Sequence, residues 1–440
     1  MKYSRLWAAA AAITMIFSGY SCGKDNMKAS SVTDSTVSDS TETTTKNDKK
    51  KQVSSETDNK DTTTTTTAKK EEKSDKKTTT TKAGEKKSDT TTTAKKDGAP
   101  KSESSSGGGS SNNNNTSQGG SASEGGAPAE AVKEYAAEID LGSGGAPKVN
   151  GSNVTVDGSV ITITAGGDYI FTGGLTEGQI RVNTGASEDK VTVVLNGVDI
   201  TNSSAPAIFI EEAKRCTIKP KEGSVNYITS GVEKKGNTET GAIFSNDTIR
   251  LKGNGGLNIT ANASHGINSD DDVIIESGTY NIESRKSGII ANDDITINDG
   301  NIIVNGGTNG IKSKGTLNIN GGFTVLSGGT KEEKSSIYAA SSFSFKGGCV
   351  YAAGSKVSVP THSDFPYIVA DLGETVGAGS SVELFLNGNS MITMNPHNDF
   401  RCVMMLAPEV SGGSSFAVSV NGNRSQDFTV SDGGNQFSLQ

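Results

Sequence analysis

The sequence is poor in the residues that build a globular core. Of its 440 residues, 32% are hydrophobic and 5% aromatic, whereas 54 are glycine. A uniformly globular chain of this length needs more core-forming residues, so the apolar content must be concentrated in one part. Residues 23–128 contain no aromatic residue but 22 Thr and 18 Ser. We therefore expect residues 23–128 to be a disordered tether that buries too little surface to fold.

Histidine and cysteine are also scarce. The three histidines are scattered, so no Ser–His–Asp arrangement can be inferred from them. Cys216, Cys349 and Cys402 show no C-x-x-C spacing, which argues against a cysteine metal site. Cys216 lies in an apolar alternation, and we expect it to pack as a small hydrophobic residue. The glycine-rich turns are followed by no helix pattern, which excludes a nucleotide-binding loop.

The negative charge is concentrated in the C-terminal two thirds of the chain. Residues 1–22 carry two positive charges, and residues 23–128 carry 18 positive and 16 negative charges. This leaves 22 positive and 34 negative charges for residues 129–440, a net charge of 22 − 34 = −12 within the total of −8. Such a domain repels phosphate backbones, so we expect no nucleic-acid partner. A divalent cation or a neutral polymer fits this charge better.

The N-terminus has the pattern of an export signal. Lys2 and Arg5 precede a short apolar stretch that ends near Phe17 and is too short to span a bilayer comfortably. Gly19-Tyr20-Ser21-Cys22 follows and is similar to a lipobox, in which the cysteine is lipidated. We therefore predict a lipoprotein signal peptide over residues 1–22 with lipidation at Cys22. An ordinary cleaved signal with an incidental cysteine is the alternative.

Repeated apolar anchors predict the fold. Alternating apolar pairs follow each anchor at fixed distances, with Gly, Asn and Asp at the corners, and this indicates short half-buried strands. Three such strands per coil of about 22 residues predict an all-β, right-handed parallel β-helix. The pairs assigned to its interior include Phe323 and Val325. The anchors are spaced by 24, 22, 22 and 26 residues and are Ile243, Ile267, Ile289, Ile311 and Ile337.

The regions on either side of the repeats complete the predicted architecture. An earlier coil is expected around Ile208, a first sheet or cap over residues 154–182, and an inserted loop over residues 228–240. Alternating strands without the repeat continue to the C-terminus, where a solenoid needs a cap over its open end. The predicted parts are the signal peptide 1–22, the disordered tether 23–128, the β-helix domain 129–365 and its C-terminal β cap 366–440.

The corner after each anchor strand is acidic in three consecutive coils. Successive coils stack about 4.8 Å apart, so these carboxylates would form a ladder along one edge. Like charges at that distance destabilise the fold unless a cation neutralises them, and Ca²⁺ prefers such oxygen ligands. Solvated Asn and Asp turns without metal are the alternative. The candidate Ca²⁺ ligands are Asp247, Asp270, Asp271, Asp272, Asn292, Asp293 and Asp294, and Lys314-Gly315 interrupts the ladder in the next coil.

Several of these stretches together resemble clostridial cell-surface β-helix proteins described as carbohydrate-binding. The resemblance covers about residues 139–440. It implies a secreted right-handed parallel β-helix with bound calcium that binds plant cell-wall polysaccharide, of cellulose and pectin types, without an established catalytic activity. The stretches that carry it are VLNGVDITNSSAPAIFI at 194–210, GAIFSNDTIRLKGNGGLNI at 241–259, HGINSDDDVIIESGTYNI at 265–282 and NGIKSKGTLNINGG at 309–322.

The acidic pair of that family falls on specific residues here. It matches Asp271-Asp272 and Asp293-Asp294, and less completely Asp247 with the Asn before it. The coil at 311–317 departs from the pattern, so no calcium is expected there.

Together, these patterns predict a non-catalytic carbohydrate-binding protein at the cell surface. We expect an extracellular monomer, joined to the cell membrane only through lipid on Cys22, that binds a polysaccharide of cellulose or pectin type. A calcium-dependent pectate lyase-like enzyme is one alternative, with Lys312 or Lys314 as the base that removes a proton next to a uronate carboxylate. A structural surface adhesin is the other. The motif set of pectinolytic hydrolases is not present, because His265 precedes the acidic run and no Arg-Ile-Lys element follows.

Overall fold

The computed structural model describes residues 134–186, 188–231, 240–329 and 334–439. Over these residues the chain is built of strands, and no helix among them is long and apolar enough to cross a membrane. The predicted signal peptide, the lipidation site Cys22 and the tether lie outside the described residues.

The first strands of the described chain establish the parallel stack. β1 pairs antiparallel with β2, and β3 with β4. β4 then pairs parallel with β6, and the long strands β5 and β7 pair parallel with each other around a corner. β1 also pairs parallel with β5, so the parallel stack already begins at β1, before the region 154–182. These strands are β1 (Ala137–Asp140), β2 (Lys148–Gly151), β3 (Val154–Asp157), β4 (Val160–Ile163), β5 (Gly167–Thr176), β6 (Gln179–Asn183) and β7 (Lys190–Asn202).

Each following coil contributes three strands, one to each of three faces. The strands are β8 (Ile208–Glu212), β9 (Arg215–Pro220), β10 (Val225–Ser230), β11 (Ile243–Ser245), β12 (Ile249–Leu251), β13 (Gly256–Ala261), β14 (Ile267–Ser269), β15 (Val273–Ile275), β16 (Thr279–Ser284), β17 (Ile289–Ala291), β18 (Ile295–Ile297), β19 (Asn301–Gly306), β20 (Ile311–Ser313), β21 (Thr316–Ile319), β22 (Phe323–Ser327), β23 (Ile337–Ala339), β24 (Ser342–Phe345) and β25 (Cys349–Gly354).

The three faces are continuous parallel stacks. Face 1 is β4–β6–β8–β11–β14–β17–β20–β23. Face 2 is β9–β12–β15–β18–β21–β24. Face 3 is β10–β13–β16–β19–β22–β25. This arrangement confirms the predicted parallel β-helix.

The anchor isoleucines stack inside the helix as predicted. They pair with one another in register along face 1, and each is fully buried. Complete burial of one such side chain contributes about 1.5–3 kcal/mol to folding, so the stack adds substantially to the stability of these coils. Cys216 is fully buried in the same core, and burial raises the pKa of its thiol to about 12. Its interpretation as a small hydrophobic residue is confirmed.

Two details of the sequence prediction are wrong. In β22 the register places Thr324 and Leu326 inside, beside Ile302 and Val304 of β19, so Phe323 and Val325 point outward. They can do so because the C-terminal region covers them. The second error concerns the loop predicted over 228–240, because β10 continues to Ser230 with Ile228 fully buried.

The C-terminal region covers both the end and one flank of the helix. β26 pairs with β24, and β30 pairs antiparallel with β25, so faces 2 and 3 each continue past the last coil. A separate antiparallel sheet packs against the outside of face 3 through a second core that includes Val325, Tyr351, Leu384 and Val418. The strands are β26 (His362–Ser363), β27 (Tyr367–Val376), β28 (Val382–Leu386), β29 (Asn389–Met394), β30 (Phe400–Leu406), β31 (Ser415–Val420), β32 (Asn423–Arg424), β33 (Phe428–Thr429) and β34 (Gly434–Ser438).

Candidate functional site

The acidic residues lie at the corner between face 1 and face 2. The strand register makes this corner three residues long in consecutive coils, so its residues form three columns along the helix. The first column is Asn246, Asp270, Asn292 and Lys314; the second is Asp247, Asp271, Asp293 and Gly315; and the third is Thr248, Asp272, Asp294 and Thr316.

Three of the predicted ligands converge. Carboxylate oxygens of Asp271, Asp272 and Asp293 lie within 4.8 Å of one another. Asp271 and Asp272 are half-buried, whereas Asp293 is exposed. We call these three residues the carboxylate cluster. Its members come from two adjacent coils, because the 22-residue spacing places Asp293 directly beside Asp271.

Hydrogen bonds already engage two carboxylates of this cluster and the neighbouring Asp294. Asp272 Oδ1 accepts a bond of 2.9 Å from the Asp294 backbone N–H, and Asp294 Oδ1 accepts one of 2.6 Å from the Thr316 N–H. Asp271 Oδ2 accepts a bond from the Thr248 hydroxyl. These carboxylates therefore join successive coils, a structural role that needs no metal, while one oxygen of each takes no part in these bonds.

The other predicted ligands form separate contacts. Asn292 donates from Nδ2 to Asp270 Oδ1 at 2.8 Å, and the Lys314 ammonium donates to Asn292 Oδ1. Asp247 Oδ2 accepts a bond of 2.9 Å from the Ala213 N–H of the preceding coil. The structure thus leaves Asp247, Asp270, Asn292 and Asp294 outside the carboxylate cluster.

Electrostatics disfavour negative charge on Asp272, one member of the cluster. The pKa of Asp272 lies above its ordinary value, chiefly because burial penalises the charged form. Neighbouring Asp271, Asp294 and Asp293 raise it further, and the bond from the Asp294 N–H opposes them. A bound cation would reverse this balance, because it favours the charged form of every carboxylate around it.

The ladder ends at Gly315 for a steric reason. A Cβ at that position would lie 2.3 Å from Asp294 Oδ1, closer than side-chain atoms approach. An aspartate in this coil would therefore displace the carboxylate before it. The same coil carries Lys312 on the outside of face 1, with Nζ 5.6 Å from the Tyr338 ring centroid. The pKa of Lys312 is lowered, first by burial and then by Lys334 and Lys314.

A second group of polar side chains lies on the outside of face 3. Thr260, Glu283 and Asn305 line an open groove of about 540 Å³ whose far wall is His397 and Asn398. Sequence reasoning missed this groove, because its wall comes from the connection between β29 and β30. Asn398 reaches the Gly306 carbonyl across 92 positions of sequence.

The fold defines the chain as a β-solenoid, a class that presents long repetitive surfaces for binding. Comparison with known proteins is more specific. The family described as carbohydrate-binding domain-containing protein matches residues 157–391, more than half of the chain and the coils from β4 to β25. The chain belongs to that family.

Two relatives extend the comparison. A carbohydrate-binding domain-containing protein of Acetivibrio thermocellus is 34% identical over 145 residues, which cover 31% of this chain and 50% of that protein. The chain thus spans about half the length of this relative. A solved structure of the polysaccharide lyase-like protein from C. thermocellum, a gadolinium derivative, is 27% identical with a TM-score of 0.41, covering 52% of this chain and 98% of that chain.

Proposed function

We propose that this protein is a non-catalytic, cell-surface binder of plant cell-wall polysaccharide of the cellulose or pectin type. The observation that carries the proposal is its membership of the carbohydrate-binding domain family over residues 157–391. In this proposal, lipid on Cys22 holds the chain at the membrane, and residues 23–128 carry the β-helix away from it. The β-helix then meets the polymer outside the cell.

We also propose that the carboxylate cluster holds Ca²⁺. The donor set fits the ion, because hard oxygens from Asp271, Asp272 and Asp293 converge and burial penalises the charge on Asp272. Asp294 lies beside them as a further oxygen donor. The ion would supply positive charge that offsets carboxylate repulsion across two coils. Asp272 and Asp294 would keep their bonds to the backbone of the next coil.

Binding to the insoluble polymer tests this function. The full chain is mixed with microcrystalline cellulose or insoluble pectin, with calcium or with chelator, and the protein left in solution is measured. We expect depletion from solution on at least one polymer, with weaker depletion when chelator loosens the coils. A chain that stays in solution with both polymers under both conditions would contradict the proposal.

One observation favours the lyase alternative. A neutral amine acts as a base, and burial shifts Lys312 toward its neutral form by lowering its pKa. In such a reaction the amine takes the proton next to the uronate carboxylate, and the electron pair of that C–H bond forms a carbon–carbon double bond. The glycosidic oxygen leaves with the electrons of its bond to carbon and takes up a proton from water. The test is the ultraviolet absorbance of unsaturated product from pectate, with Lys312→Ala and exposed Lys346→Ala as the matched pair. Product that depends on Lys312 alone would establish the enzyme and overturn the non-catalytic proposal.

A further inference from the structure

The outside of face 3 is partly open and partly covered. The C-terminal sheet packs over its last strands, where Phe323 and Val325 join the second core. The strands before them carry exposed side chains, and Val225 and Tyr227 of β10 are 53% and 50% exposed. The groove lies at the step between the open and the covered part.

Consecutive coils supply the floor of the groove. Thr260, Glu283 and Asn305 pair in register on β13, β16 and β19, so they stand about 4.8 Å apart along the helix axis. The wall is fixed, because Asn398 donates from Nδ2 to the Gly306 carbonyl at 2.8 Å. His397 Nδ1 lies 3.9 Å from Glu283 Oε1, and both side chains are about half exposed.

The groove also contains a charged group with no ion pair. Among the described residues, no hydrogen bond or salt bridge engages the guanidinium of Arg285, which lines the groove beside Glu283. The next residue in its column is Gly307, where a Cβ would lie 2.2 Å from the Arg285 carbonyl oxygen. No side chain therefore covers Arg285 from the next coil. The donors of Arg285 and the acceptors of Glu283 border the same open groove.

A polar strip connects the groove to Tyr227. Tyr227, Asn258 and Asn281 pair in register on β10, β13 and β16. Asn281 donates from Nδ2 to Asn258 Oδ1 at 3.0 Å, which aligns the two amides along the axis. An exposed tyrosine ring at one end offers an apolar face with a polar tip, the type of surface on which a sugar ring packs.

The charges around the groove favour a neutral ligand over an anionic one. Glu283 and Arg285 contribute one charge of each sign, so the groove has no excess of cations with which to hold a polyanion. Residues 129–440 carry a net charge of −12, which repels a polyuronate. Paired donors and acceptors without net charge match the hydroxyl groups of a neutral sugar.

We infer that the outside of face 3, from Tyr227 to the groove beside His397, binds one chain of a neutral polysaccharide that runs along the β-helix axis. This inference rests on the proposed carbohydrate-binding function and names the site and the ligand class. The regular spacing of the coils presents a row of outward-facing groups at each step along the axis. The ring of Tyr227 packs on one sugar, and Glu283 and Arg285 bind the hydroxyls of another.

Calorimetric titration of the full chain with cellohexaose tests the site. Tyr227→Ala and Glu283→Ala should each raise the Kd about tenfold, the loss expected for removing one main contact. The matched controls are Tyr338→Ala on face 1 and Glu374→Ala on the cap, and their Kd should stay within about twofold of the wild type. All four positions are exposed, and unchanged melting temperatures will show that the variants fold.

The possible results distinguish a wrong site assignment from a wrong proposed function. If the wild type binds cellohexaose and the Tyr227→Ala and Glu283→Ala variants bind it with the same affinity, the inference is overturned and the proposed function stands. Tighter binding of hexagalacturonate than of cellohexaose would overturn the neutral-ligand assignment. Wild-type protein that binds no oligosaccharide and no insoluble polymer would overturn both.

Discussion

The double substitution Asp271→Asn with Asp293→Asn perturbs the carboxylate cluster with little change in shape. The amide oxygen that replaces the Asp271 carboxylate can still accept the bond from the Thr248 hydroxyl. Neither change touches the buried isoleucine stack, so the β-helix should still fold. The variant removes two of the three converging charges and with them the proposed Ca²⁺ site.

The stabilisation expected from calcium can be compared with the repulsion between the carboxylates. Charges within 4.8 Å of one another repel by about 0.9 kcal/mol per pair in bulk water, and physiological salt screens roughly half of that. Calcium that binds only the folded state contributes about 2.7 kcal/mol at a hundredfold excess over Kd. The calcium term is the larger of the two. For a domain of this size it corresponds to a rise of about 5 °C in Tm.

Differential scanning calorimetry with calcium and with chelator measures this effect. We expect chelator to lower the Tm of the wild type, and the double variant to show one Tm in both buffers. Without calcium, the double variant should melt slightly above the wild type, because repulsion is relieved. Asp299→Asn, an exposed aspartate of the same coil, is the control and should keep the calcium response. A wild-type Tm that ignores both calcium and chelator would refute the metal site.

Three further predictions concern separate features. Thr324→Val should raise the free energy of unfolding by about 1 kcal/mol in urea titration, because the buried Thr324 hydroxyl has no partner among the described residues; a loss of stability would contradict the register of β22. The raised pKa of Asp272 means that its folded form binds a proton more readily than its unfolded form. In chelator, Asp272→Asn should therefore be more stable than the wild type at neutral pH, and this advantage should disappear as the pH falls through the raised pKa; an advantage independent of pH would be inconsistent with it. Cys22→Ala should release the protein from the membrane fraction, and retention there would contradict lipid anchoring.

Periodicity made most of the helix predictable. The anchors around Ile267 and Ile289 have an unbroken spacing of 22 residues, and a parallel stack is the arrangement that buries all of them together. The same logic failed at Phe323, since β22 is apolar on both sides. When a sheet that is distant in sequence covers the outer side of a strand, alternation within the strand cannot show which of its two sides faces the coil interior.

Part of the candidate site could also be predicted from the sequence. Spacing placed Asp271 and Asp293 in one column, and the structure brings their carboxylates together. It could not show that Asp270 is bonded to Asn292, because that depends on side-chain direction within the corner. The groove beside His397 could not be predicted from the sequence, because contacts between the cap and the coils leave no periodic pattern in it.

Equilibrium adsorption of the full chain to insoluble cell-wall polysaccharide, combined with the length of the recovered polymer, is the most direct measurement of the central proposal. A saturable isotherm with polymer recovered at its original length is the result expected of a non-catalytic binder. A lack of adsorption, or polymer shortened in proportion to the protein added, would contradict it.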